Sequence, residues 1–196
     1  MTNIYLVRHG ETELNRSKVY YGFTDVPLNS HGETQCQVLK QKLINVNFDM
    51  VITSPLIRTV NSAEIITGLT KKNIHKYKNL KELNFGKWED MHYKNIEKEY
   101  PKEWKAWCKD WQNYCIPEGE SFISFHHRVK LCFDEIQKKI QGKTVLIVGH
   151  EGALKIIASL LLNLTIEDYW RFTFEFGTYS LFQTEDNLAV IKKINC

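Results

Sequence analysis

Residues 144–148, Thr-Val-Leu-Ile-Val, form an unbroken β-branched and apolar run, and no other feature restricts the fold as much. A strand without polar alternation is buried, as strands are in parallel sheets. Two further runs share this character, residues 3–8 (NIYLVR) and residues 49–53 (DMVIT). Helical spacing fills the stretches between them. Within 31–45, Cys36, Leu39 and Leu43 fall at i, i+3 and i+7. Ser54-Pro55 opens a helix to about residue 69, with Val60, Ala63 and Ile66 inward, since proline suits a first helical turn. The clearest helix is 121–141. Its apolar face runs Phe122, Phe125, Val129, Cys132, Phe133, Ile136 and Ile140, with Ser121 as N-cap and Gly142 as its end. Residues 151–162 supply the helix after the 144–148 strand. Residues 179–184 and 188–194 read as a hairpin around Glu-Asp-Asn. Strands alternating with helices predict an α/β domain with a mainly parallel sheet.

The chain has 196 residues and carries no internal repeat, low-complexity tract or linker, so one domain over 1–196 is expected. Its longest apolar stretch, 156–162, falls far short of the roughly 20 residues of a membrane span. The N-terminus has neither a basic n-region nor a hydrophobic h-region, so no signal peptide and no membrane partner are expected. Five cysteines (36, 108, 115, 132 and 196) include no CxxC pair. That pattern predicts reduced thiols in the cytoplasm rather than a disulfide framework or a zinc site. A net charge of +3, without a basic patch interleaved with aromatics, argues against nucleic acid.

In parallel sheets, ligands bind beyond the carboxyl ends of the strands. Three strand ends here carry polar residues: Arg8-His9, Ser54 through Arg58, and Gly149-His150-Glu151. A lone histidine or arginine at such a place is usually only solvated or hydrogen-bonded. Two of each at one sheet edge imply an anion among them, because like charges repel. Arginine's planar fork matches phosphate oxygens. No Walker-type loop, GxGxxG or DxD-type acidic pair is present, so side chains would hold the anion and no cofactor or metal is expected. A neutral imidazole beside phosphate-binding arginines is a competent nucleophile. A leaving alkoxide also needs a general acid. By composition, Glu82 is only one of 23 acidic residues that could serve.

The segments RHGETELN, SPLIRT, ELNFGKWED and VGHEG, taken in this order and spacing, resemble the histidine phosphatase superfamily, the phosphoglycerate-mutase-like fold. The resemblance spans residues 4 to about 155. It implies a three-layer α/β fold, with His9 as the phosphorylated nucleophile and Arg8, Arg58 and His150 forming the phosphate pocket. It places Glu82 as the proton donor and Asn15, Tyr21 and Gly22 along the substrate, with Thr12 supporting their loop. Two departures stand out. Glu151 follows His150 where a glycine is common, and it would either weaken binding of a highly anionic substrate or cap the next helix. Thr59, Asn61 and Ser62 replace parts of the usual SPLxRAxxTA pattern at helical positions.

The segment between Glu82 and Ser121 is short and contains no arginine. Together with FGKWED and PEGES, this resembles the phosphatase branch, and within it α-ribazole phosphatases of cobalamin assembly and broad-specificity phosphatases. The implied partner is a small phosphorylated metabolite. A cofactor-dependent phosphoglycerate mutase and a non-catalytic phospho-ligand binder are the alternatives. A helical, lid-like segment is expected over about 90–116. Tyr100, Trp104, Trp107, Trp111 and Tyr114 form one aromatic stripe along its helix, either packing the segment onto the core or walling a pocket for an aromatic leaving group.

Overall fold

A computed structural model describes residues 1–186 and 188–196. Its strands are β1 (Thr2–Arg8), β2 (Val19–Tyr20), β3 (Met50–Thr53), β4 (His75–Lys76), β5 (Met91–His92), β6 (Thr144–Gly149), β7 (Ser180–Glu185) and β8 (Leu188–Lys193). Its α-helices are α1 (Glu13–Arg16), α2 (Ser30–Lys42), α3 (Ile57–Thr67), α4 (Tyr93–Glu99), α5 (Pro101–Lys109), α6 (Phe122–Lys139) and α7 (Glu151–Leu161). Six strands form one sheet in the order β4-β3-β6-β1-β7-β8. The first four are parallel; β7 and β8 add an antiparallel edge, the expected hairpin. Asn187, in the turn of that hairpin, lies outside the described residues.

Alternation along the central strands divides the core into two. Ile4, Leu6, Val145 and Ile147 face one side, where α6 and α7 contribute Phe125, Phe133, Ile156 and Ile157. Val7, Leu146 and Val148 face the other, against Cys36, Leu39 and Leu43 from the α2 region and Val60, Ala63 and Ile66 of α3. The sheet therefore lies between two helical layers, as its uninterrupted apolar strands require. No described helix is long and apolar enough to cross a membrane.

Two local expectations shift. The helix expected from Ser54-Pro55 begins only at Ile57, because Leu56 stays extended and Asp25 Oδ1 accepts the Ile57 amide at 2.7 Å, supplying the first turn from another loop. The aromatic stripe does not lie on one helix. α5 ends at Lys109, and Asp110 turns the chain by accepting the Asn113 amide at 3.2 Å. Trp111 and Tyr114 thus sit beyond the helix, though all five stripe residues pack against the larger core. Trp88 and Ile96 are fully buried beneath this segment.

Phe133 is fully buried on the inner face of α6. Replacing it with alanine removes a large apolar side chain that the rigid sheet cannot fill. Phe133→Ala is expected to lower the unfolding free energy by about 3–5 kcal/mol in urea titrations. A loss below about 1 kcal/mol would contradict this packing.

Candidate active site

The pairing of β1 with β6 builds the site. Parallel register places Val7 opposite Val148 and Arg8 opposite Gly149, and the His9 amide continues it by donating to Gly149 O at 3.0 Å. His9 and His150 therefore emerge side by side, with ring centroids 5.2 Å apart. His9 Nδ1 lies 2.7 Å from Gly10 O, and a carbonyl can only accept. The proton must therefore be on Nδ1, and Nε2 keeps its lone pair. His150 Nε2 lies 2.8 Å from Ser54 Oγ, which also bonds Thr59 Oγ1 at 2.9 Å. His150 Nδ1 is buried and makes no hydrogen bond among the described residues. Burial, then the Arg58 and neighbouring charges, hold both imidazoles well below the usual histidine range.

The two arginines are fixed without an anion. Arg8 stacks on the Phe176 ring at 3.8 Å, and its Nη1 donates to Phe174 O at 3.2 Å and to Glu151 Oε2 at 2.6 Å. Arg58, only 1% exposed, donates through Nη1 to Thr24 O and through Nη2 to Gly22 O, both at 2.7 Å. Its fork therefore secures the 22–24 loop as well as carrying charge. Nε of each arginine is buried without a protein partner among the described residues. Such an orphaned donor is costly unless a ligand takes it.

Glu82 reaches the same edge from a loop. Its Oε2 accepts the Gly152 amide at 2.8 Å and its Oε1 accepts the Leu83 amide at 2.9 Å. A Cβ on Gly152 would stand 2.4 Å from Glu82 Oε1, so glycine is what lets the carboxyl approach α7. Burial pushes the Glu82 carboxyl up from the ordinary carboxylate range, against those two amide bonds. Arg128 pins this loop. It donates to the carbonyls of Asn79, Lys81 and Glu82 at 2.7–2.9 Å, and to both oxygens of Glu120. Glu120 in turn accepts the Asn84 amide at 2.8 Å, tying NFG to PEGES.

Thr12 is fully buried and caps α1; its Oγ1 lies 2.8 Å from Tyr21 OH. Asn15 Oδ1 accepts both the Thr12 amide and Tyr21 OH. Asn15 and Tyr21 face a cavity of about 320 Å³, whereas Thr12 and Gly22 do not line it. The Gly22 amide is taken by Glu89 and its carbonyl by Arg58. Glu89 also accepts the amides of Phe23 and Thr24, bonds that outweigh burial and hold its carboxyl below the usual range.

The cavity meets this group of residues through Arg8 and Glu82; His9, Arg58 and His150 are not in its lining. Its walls are aromatic, including Phe85, Trp107, Trp111, Phe122, Tyr169 and Trp170. Trp104 instead packs beside Trp88 and Trp107. The stripe thus divides between core and pocket. Glu151 lines the cavity too; it stands in the first turn of α7, where an acidic residue is favoured, but its carboxylate bonds Arg8 and Lys155 rather than helix amides. Arg128, Lys155, Tyr169 and Trp170 escaped the sequence reading. One signal was available for Arg128: the chain has 21 lysines but only five arginines, at 8, 16, 58, 128 and 171. Arginine is retained where a fork is needed. Among the described residues, no group of three or more His, Cys, Asp or Glu is placed to hold a metal ion.

Residues 4–196 match the family model of the histidine phosphatase superfamily (branch 1). The chain is 32% identical over 192 residues to the adenosylcobalamin/alpha-ribazole phosphatase of Salmonella typhimurium, covering 98% of this chain and 95% of that protein. It is 29% identical over 195 residues to phosphoserine phosphatase 1 of Hydrogenobacter thermophilus, covering 100% and 92%. Its fold superposes on the crystal structure of a putative alpha-ribazole-5'-P phosphatase from Escherichia coli with a TM-score of 0.95 at 30% identity, covering 100% and 96%.

Because both buried histidines titrate below the usual value of 6.5, the unfolded chain takes up protons on acidification that the folded chain refuses. Their contribution to stability is intact above pH 6.5 and is lost as pH falls below it. Urea midpoints measured from pH 7.5 down to pH 5.5 are expected to decline, with a shallower decline in His150→Asn. An identical slope in that variant would contradict neutral burial.

Proposed function

On the premise that the chain belongs to the histidine phosphatase superfamily (branch 1), we propose that it hydrolyses phosphate monoesters through a phosphohistidine, with α-ribazole 5'-phosphate of cobalamin assembly as its substrate. The observation that carries the mechanism is the bond from His9 Nδ1 to Gly10 O, which leaves Nε2 as a lone pair beside Arg8 and Arg58. In the first step Nε2 attacks phosphorus, the ester P–O bond breaks, and Glu82 gives its proton to the departing alcohol oxygen. In the second step Glu82, now a carboxylate, takes a proton from water as the water oxygen attacks the phosphorus and the P–Nε2 bond breaks, its electron pair returning to Nε2, which releases inorganic phosphate and restores His9 and the protonated Glu82. Arg8, Arg58 and His150 bind the equatorial oxygens, where charge is greatest, and their positions are set before substrate arrives. The shift of the Glu82 carboxyl is upward, the direction that favours a proton donor.

The leaving group would occupy the aromatic cavity. Its walls suit a planar heterocycle better than a small acid. A phosphoglycerate mutase must bind a second anionic group near the phosphate. Among the described residues the one lysine in the lining is already paired with Glu151, which speaks against that reading. A non-catalytic binder would have no use for a carboxyl raised in pKa beside a neutral imidazole. A cytoplasmic location is proposed with this function, supported by five free cysteines.

A panel of kcat/KM values tests the assignment. α-Ribazole 5'-phosphate is expected to exceed 3-phosphoglycerate and phosphoserine by at least about 100-fold, with full activity in EDTA. Equal turnover across the panel would replace it with a broad-specificity phosphatase. Removing the nucleophile in His9→Ala is expected to lower kcat by about 10⁴-fold or more. Glu82→Gln is expected to cost about 10²–10⁴-fold with an alkyl phosphate but much less with p-nitrophenyl phosphate, whose leaving group needs no proton. Equal losses on both esters would contradict a proton-donor role.

A further inference from the structure

Glu151 has an unusual place for a carboxylate. It is the first residue of α7, directly after His150, and it lines the cavity within reach of the phosphate-binding cations. Its Oε2 lies 2.6 Å from Arg8 Nη1 and its Oε1 lies 2.8 Å from Lys155 Nζ. Lys155 is 7% exposed, and its ammonium stands 5.3 Å over each of the Tyr169 and Trp170 rings. Glu151 therefore neutralises the one lysine among the described residues that line the cavity.

Four ionisable side chains of opposite character meet here: the cations Arg8 and Lys155, and the carboxyls Glu82 and Glu151. When a phosphate takes the Arg8 guanidinium, Glu151 loses one partner. Its bond to Lys155, one helical turn on, keeps the carboxylate inside the cavity instead of releasing it to solvent. A leaving group that enters then meets aromatic faces and the exposed oxygen of a lysine-anchored carboxylate, with no unpaired ammonium. Resting on the phosphatase reading above, we propose that Glu151, held by Lys155, is a specificity-determining residue that rejects phosphate esters of hydroxy acids and admits esters of uncharged aromatic alcohols. Rejection by a like charge is more effective than a missing contact, because an approaching carboxylate loses its hydration and gains no partner.

The test compares 3-phosphoglycerate with phenyl phosphate in the wild type, Glu151→Gln and Glu151→Gln/Lys155→Met. Turnover of phenyl phosphate by the wild type examines the phosphatase reading by itself. Glu151→Gln frees the Lys155 ammonium and removes the repelling charge. The ratio of kcat/KM for 3-phosphoglycerate over phenyl phosphate is expected to rise about tenfold or more, through KM rather than kcat. The double variant lacks the freed ammonium as well as the repelling carboxylate, so it is expected to keep a smaller gain over the wild type. A ratio within twofold of the wild type in Glu151→Gln would overturn the proposal. So would a double variant that falls back to the wild-type ratio, or loss of phenyl phosphate turnover in Glu151→Gln, which would make Glu151 part of the reaction itself.

Discussion

The parallel pairing of β1 with β6 is the constraint on which the site depends. Because Arg8 stands opposite Gly149, the next residue on each strand is a histidine, and the two rings are 5.2 Å apart. β3 lies on the other side of β6 with Thr53 opposite Val148, so the Ser54 hydroxyl falls next to His150. A slip of one residue in either ladder would turn the alternating side chains to the other face and separate these groups. The buried β-branched strands that set the register are therefore also what aligns the chemistry.

Gathering positive groups at one edge is unfavourable unless each is held. The protein does this with neutral and paired contacts. Arg58 is spent partly on the carbonyls of Gly22 and Thr24, and Arg8 on Phe174 O, the Phe176 ring and Glu151. The imidazoles stay uncharged because burial and the arginines both disfavour a further proton. The carboxyl of Glu82 is shifted the opposite way, by loss of water around it. One environment thus shifts the imidazoles toward their neutral form and the neighbouring carboxyl toward its protonated form, the opposed shifts that a nucleophile and a proton donor would need.

What could be read from sequence was local. The strand runs, the Ser121 cap and the residues at strand ends follow from periodicity and from the chemistry of a few adjacent positions. The parallel strands then bring Arg8, His9, Arg58 and His150 together with no further information. What could not be read depends on distant partners. Arg128 donates to Glu82 O across 46 positions, and helical spacing on α6 gives no hint of that. Tyr169 and Trp170 lie in a short 3₁₀ turn with no period to announce which face they show. Glu151 has the right residue type for a cap, yet Arg8 on another strand draws its carboxylate away. The aromatic stripe keeps helical spacing past Lys109, but Asp110 ends the helix first, and only part of the stripe reaches the cavity.

The central claim is that His9, with its proton fixed on Nδ1, uses Nε2 to take the phosphoryl group. The most direct measurement is rapid quenching of the wild type during turnover, followed by phosphorus NMR and peptide mapping of the trapped phosphoenzyme. The account predicts an acid-labile, base-stable phosphate on Nε2 of His9, present within the first turnover and missing from His9→Ala. Steady turnover with no phosphoenzyme, or phosphate attached to His150 or to Nδ1 of His9, would contradict it.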